Sequence, residues 1–123
     1  MKFLLLVHHD ENAFSKMSET TRKEMLEKSV HLTHQLHNKG QYLSASPLHP
    51  ASTAVIVRVR EDKPLVTDGP FIETREQLAG YFLINANDLD EAVGIAVQVP
   101  GARIGSVEVR PLIEISGLPT EKC

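Results

Sequence analysis

The fold of this chain is decided by GYFLIN at residues 80–85, read together with FLLLV at residues 3–7. Both runs are apolar without alternation, so both predict strands covered on two faces in the middle of a sheet. Residues 53–60 read differently. Val55, Val57 and Val59 fall on one side and Arg58 and Arg60 on the other, the pattern of a half-exposed strand. Residues 106–115 repeat it, with Val107 and Val109 opposed to Glu108 and Arg110. A short return strand is expected at 64–67, where Pro64 confines it to an edge or a strand start.

Helices separate these strands. Residues 18–39 read as the first, with Ser18 or Thr21 as its cap, Thr21 and Glu24 spaced as a capping box, and Leu26, Val30 and Leu36, with Thr33 between, as its apolar stripe. Gly40 stands where a left-handed C-terminal residue is expected. Residues 88–99 read as the second, opened by Asp88 and Glu91 and stopped by Pro100 and Gly101. Residues 41–52, with Pro47 and Pro50, read as an extended connector. The order is βαββαβ, so the expected fold class is α+β, a ferredoxin-like antiparallel sheet with both helices on one face. The expected domain is 1–115, followed by a loose tail at 116–123. Leu4, Leu6, Phe82 and Ile84, or their neighbours of opposite parity, then lie on an uncovered sheet face. Such a face calls for a second copy of the chain packed sheet to sheet, or for the tail or a loop folded over it.

The size suits one domain: 123 residues, 41% hydrophobic and 24% charged. With 13 basic and 16 acidic residues the formal charge is −3, which argues against nucleic acid as a partner. No stretch approaches the roughly 20 apolar residues of a membrane span, and FLLLV is too short for a signal-peptide core. The single cysteine, Cys123, cannot form an internal disulfide, so a cytoplasmic location is expected. No GxxxxGK[ST] or GxSxG motif is present, and no four-residue metal set is evident around His31, His34 and His37. Neither a cofactor nor a metal is therefore expected. Proton transfer without a cofactor is the enzymatic class that the residues permit.

The most distinctive segment is VTDGPFIETREQLAGYFLI at 66–84. Asp-Gly-Pro is turn chemistry, in which Asp68 closes an Asx-type turn, Gly69 permits unusual φ and Pro70 fixes the next φ. A functional Asp68 needs a histidine to orient. His8, ending the first strand, is the better candidate for that histidine. His9 points to the opposite face. Tyr81 and Phe71 are candidates for lining an apolar pocket, and Asp10 and Glu11 either bind substrate or cap the next turn.

TDGPFIETREQLAGYFLI resembles the signature of the DGPF branch of the YCII-related protein family. MKFLLLVHHDE is similar to that family's first strand and acidic pair, and SVEVRP to its last strand. The resemblance implies a ferredoxin-like fold of the dimeric α/β-barrel type. Some relatives are proposed to use a His–Asp acid–base pair, one group dehydrochlorinates hydroquinones, and DGPF proteins often accompany extracytoplasmic-function sigma factors. The family's helix-borne histidine aligns with Ser29 here, and His31 lies two residues on, about 200° round the helix. Two readings follow. The first is a cofactor-independent lyase, isomerase or dehydrohalogenase using Asp68 with His8 or His31, its small molecule held near Asp10, Gly69, Pro70, Phe71 and Tyr81. The second is a non-catalytic ligand-binding or regulatory dimer, linked to sigma-factor-dependent transcription.

Overall fold

In chain order the elements are β1 (Lys2–His9), α1 (Glu11–Ser15), α2 (Glu19–Asn38), β2 (Tyr42–Pro47), β3 (Val55–Arg60), β4 (Lys63–Asp68), β5 (Gln77–Asn85), α3 (Leu89–Val97) and β6 (Ser106–Pro111). They come from a computed structural model that describes residues 1–70 and 74–119. The two wholly apolar runs become the central strands. The main sheet has the order β2-β5-β1-β6, with every neighbour antiparallel. With helices on one face, this is the ferredoxin-like α+β arrangement.

The register sorts the side chains. Leu5 pairs with Phe82 and Phe3 with Ile84, and these four are buried under Leu32 and Leu36 of α2 and Ala92, Ile95 and Ala96 of α3. Leu4 pairs with Leu83 and Leu6 with Tyr81, half-buried on the other face. The uncovered face thus carries Leu4 and Leu6 with Tyr81 and Leu83, the opposite-parity neighbours of Phe82 and Ile84, and the register settles which parity faces inward. A one-residue change of parity moves a whole strand to the opposite face, and an unalternating strand gives no internal clue to which parity is inward.

The second strand of the sheet is also not the one that alternation indicates. It is β2, inside the stretch read as a connector. As an edge strand β2 tolerates Pro47 at its end, where the missing N–H breaks no ladder. Tyr42 and Ala45 pack on the core from it. The alternating VIVRVR strand, β3, instead pairs with β4 in a separate two-stranded hairpin. Its turn residues Glu61 and Asp62 both have positive φ, 51° and 62°, the geometry of a tight hairpin matched to strand twist. Val55, Val57, Val59 and Val66 are exposed along one side of it. At its base the Gly69 N–H donates to the Ala54 carbonyl at 2.7 Å. A Cβ on Gly69 would lie 2.8 Å from the Ala54 Cβ, so the two backbones can close only over glycine.

α2 starts from Ser18, whose Oγ accepts from the Thr21 N–H at 3.0 Å. Thr21 is inside the helix and makes no capping box with Glu24. Gly40 has φ 71°, as expected of its position. The inward stripe is Arg22, Met25, Ser29, Leu32 and Leu36, while Leu26 and Val30 are exposed. Two polar residues interrupt that stripe, which is why the apolar pattern points to a neighbouring face. Asp88 caps α3, accepting from the Glu91 N–H at 2.9 Å. No helix among the described residues is long and apolar enough to cross a membrane.

Candidate functional site

Where α2 leaves the sheet, a cavity of about 300 Å³ opens between the N-terminal half of the helix and the ends of β1, β2 and β5. That volume is at the lower end for small-molecule sites. Its depth is apolar, built from Val7, Phe82 and Val99, with Met25 and Phe14 at the sides. The strands are disturbed at this end. Val7 pairs with Gly80 but His8 with Leu78, so Ala79 is an extra residue in β5, and a bulge of this kind re-aims the side chains beside it.

The chemistry at the wall comes from His9, Arg22 and the hydroxyls. His9 ends β1 on the inward parity of Phe3, Leu5 and Val7. Its ring stacks on Phe14, with centroids 4.4 Å apart and planes 15° from parallel. Burial pushes the His9 imidazole below its usual range, against the opposing pull of the Glu11, Asp10 and Glu76 carboxylates. A neutral imidazole in an apolar cavity can accept a proton from a bound molecule. Ser29 donates its hydroxyl to the Met25 carbonyl at 3.0 Å and Thr33 to the Val30 carbonyl at 2.5 Å. Arg22 enters from the first turns of α2. Its Nε is buried with no hydrogen-bond partner among the described residues.

The residues singled out in the sequence are spread over the molecule. His8 is on the uncovered sheet face, its Nε2 3.3 Å from Glu108 Oε1, with 28% of its side chain exposed. Asp68 is exposed at the end of β4, and no histidine is bonded to it among the described residues. Gly69 and Pro70 follow it at the hairpin base, and Phe71 lies outside the described residues, as does Cys123. His31 is exposed on the outer side of α2. Asp10 caps α1, its Oδ1 accepting from the Asn12 and Ala13 N–H groups at 2.9 and 3.2 Å. Glu11 Oε2 accepts from the Ala51 N–H at 2.8 Å and ties α1 to the segment before the hairpin. Among the described candidates Tyr81 alone adjoins the cavity, through its place in β5, while its side chain lies on the uncovered face with the hydroxyl 3.1 Å from Ser44 Oγ.

The chain therefore brings together His9, Arg22 and Ser29 and places His8, Asp68 and His31 elsewhere. His9 and Arg22 escape a reading by motif. A signal was nonetheless present: His9 continues the parity of the buried face of β1, and Arg22, Met25 and Ser29 are spaced for one face of a helix. Among the described residues no group of three or more His, Cys, Asp or Glu is gathered as metal ligands would be.

Comparison with known proteins matches residues 1–116 to the YCII-related domain. An uncharacterised protein of Rhizobium meliloti (strain 1021) is 32% identical over 114 residues, which cover 91% of this chain and 92% of that protein.

Proposed function

Because the chain belongs to the YCII-related domain family, we propose that it is a cytoplasmic, homodimeric, cofactor-independent acid–base protein acting on a small molecule in the α2 cavity. One observation carries this reading: the His9 imidazole, its pKa pushed down by burial, lines a cavity of ligand size. His9 takes the role that the sequence first suggested for His8, whose ring is engaged with Glu108 on the far face of the sheet. His9 removes a proton from a carbon next to an electron-withdrawing group. The electron pair left behind then expels a leaving group from the adjacent carbon, as in a lyase or dehydrohalogenase, or is reprotonated elsewhere, as in an isomerase. His9 returns its proton to the product or to water.

The dimer is supported by two apolar surfaces. Leu4, Leu6, Tyr81 and Leu83 lie side by side on the uncovered face of the sheet. The β3–β4 hairpin leaves Val57 and Val59 64% and 59% exposed, and an isolated two-stranded hairpin is marginal in water. Light scattering at micromolar concentration tests this part, and a monomer there would refute it.

The second reading, a non-catalytic ligand-binding or regulatory dimer tied to sigma-factor-dependent transcription, is favoured by the lack of any histidine bonded to Asp68 among the described residues. Ligands found by thermal-shift screening separate the two. They should stabilise the wild-type chain and not Ser29→Leu, which fills the cavity. In D2O, a bound ligand should exchange an activated C–H for deuterium with the wild type and not with His9→Gln. Binding without exchange would favour the second reading, and equal stabilisation of wild type and Ser29→Leu would remove the cavity from both.

A further inference from the structure

We propose that the α2 cavity selects carboxylates, with Arg22 as the group that binds the anion and the apolar wall holding a monocyclic or branched aliphatic body. The inference rests on the reading of the cavity as a ligand site and adds the class of ligand to it.

A buried N–H without an acceptor is costly, and native proteins rarely leave one. The Arg22 Nε is such a group. No acidic side chain lines the cavity among the described residues, and neither ion pair seen among them involves Arg22. The acids nearest His9 are engaged elsewhere: Asp10 in capping α1, Glu11 with the Ala51 N–H, and Glu76 with the Ser106 hydroxyl at 2.8 Å. The Ser29 and Thr33 hydroxyl protons are spent on backbone carbonyls. The cavity wall thus includes a cationic side chain whose Nε donor is unused, with no acidic side chain beside it among the described residues.

The Nε–H and the neighbouring Nη–H of a guanidinium are parallel and match the two oxygens of one carboxylate, a fit that neither a neutral amide nor a lone hydroxyl can make. A cavity near 300 Å³ with largely apolar walls leaves room for a small ring or a short branched chain beyond that carboxylate. In the acid–base reading, this places a carbon near the substrate carboxylate within the same chamber as His9.

The test compares phenylacetate with phenylacetamide, isosteres that differ in charge, by calorimetry and by amide chemical shifts of the full chain. The wild type should bind the acid about 10- to 100-fold more tightly than the amide, as expected for a hydrogen bond to a charged group. Arg22→Met should abolish that preference. Equal binding of acid and amide to the wild type, with shifts at Ser29 and Gly101, would overturn the carboxylate assignment and leave the cavity reading standing. A preference for the acid that survives in Arg22→Met would also overturn it. Absence of shifts at Ser29 and Gly101 with either probe at millimolar concentration would overturn both. The comparison within the wild type decides the matter even where the variant folds poorly.

Discussion

Replacing Arg22 with methionine should make the ligand-free protein more stable while removing its hold on an anion. The buried, unpaired Nε is the reason. An N–H withdrawn from water without a partner costs about 1–3 kcal/mol. The lower end applies here, since Arg22 is only half-buried as a residue. Methionine keeps an unbranched stem against the apolar wall and has a helix propensity close to that of arginine, so α2 loses little. No ion pair of Arg22 is lost, and the net gain is about 1 kcal/mol. Unfolding entropy near 2.1 cal/mol/K per residue, taken over 123 residues, gives about 0.26 kcal/mol/K. The melting temperature should therefore rise by about 4 °C, read by calorimetry at fixed pH and confirmed by a higher urea midpoint at unchanged slope. An unchanged or lowered melting temperature would mean that the Nε is already satisfied and not available to a ligand. A gain in stability joined to a loss of carboxylate binding is the exchange expected at a binding site kept strained until it is filled.

Three further outcomes are expected. Gly69→Ala should destabilise the protein by about 1–3 kcal/mol in urea titration, because its Cβ would meet both the Cβ and the carbonyl oxygen of Ala54 at the hairpin base. The double change Glu61→Asn with Asp62→Gly should stabilise the hairpin by about 1 kcal/mol, since both positions have positive φ and asparagine and glycine adopt it most readily; hydrogen exchange of β3 and β4 amides reports it. The third concerns pH. Burial lowers the folded-state pKa of His9 below its ordinary value of 6.5, so the unfolded chain takes up the proton first as pH falls. The contribution of His9 is present above about pH 6.5 and is lost as pH drops toward the folded-state value, so His9→Gln should flatten the stability–pH curve in that window. A parallel curve for the variant would show that Asp10, Glu11 and Glu76 cancel the effect of burial.

What could be read from the residues depended on whether their signal was local. FLLLV and GYFLIN fix two central strands because unbroken apolar runs suit the middle of a sheet better than its edges. Asp88 and Gly40 mark helix ends through their own backbone chemistry, and both stand at helix ends in the fold. The identity of β2 was not local. Its serines and Pro47 resemble a connector until pairing with β5 supplies hydrogen bonds and buries Tyr42 and Ala45, whereas the stronger β pattern of residues 55–60 carries no information on which strand it meets.

The site divides in the same way. Asp68 and His8 stand out in the sequence because their types and motif suggest chemistry, yet proximity is a property of the whole chain. The sheet register sends His8 toward Glu108, and the separate hairpin carries Asp68 away from the core. His9 and Arg22 have no motif to announce them. They share a cavity because the turn into α1 stacks Phe14 on His9 while the helix face of Met25 and Ser29 brings Arg22 over the end of β5. The sequence alone determined the two-helix, antiparallel plan and its central strands, because each of those follows from patterns within some ten residues. Tertiary structure decided which histidine lines the cavity, which arginine has its Nε withdrawn from solvent, and where the cavity opens, because burial depends on what distant segments place on the other side of a residue.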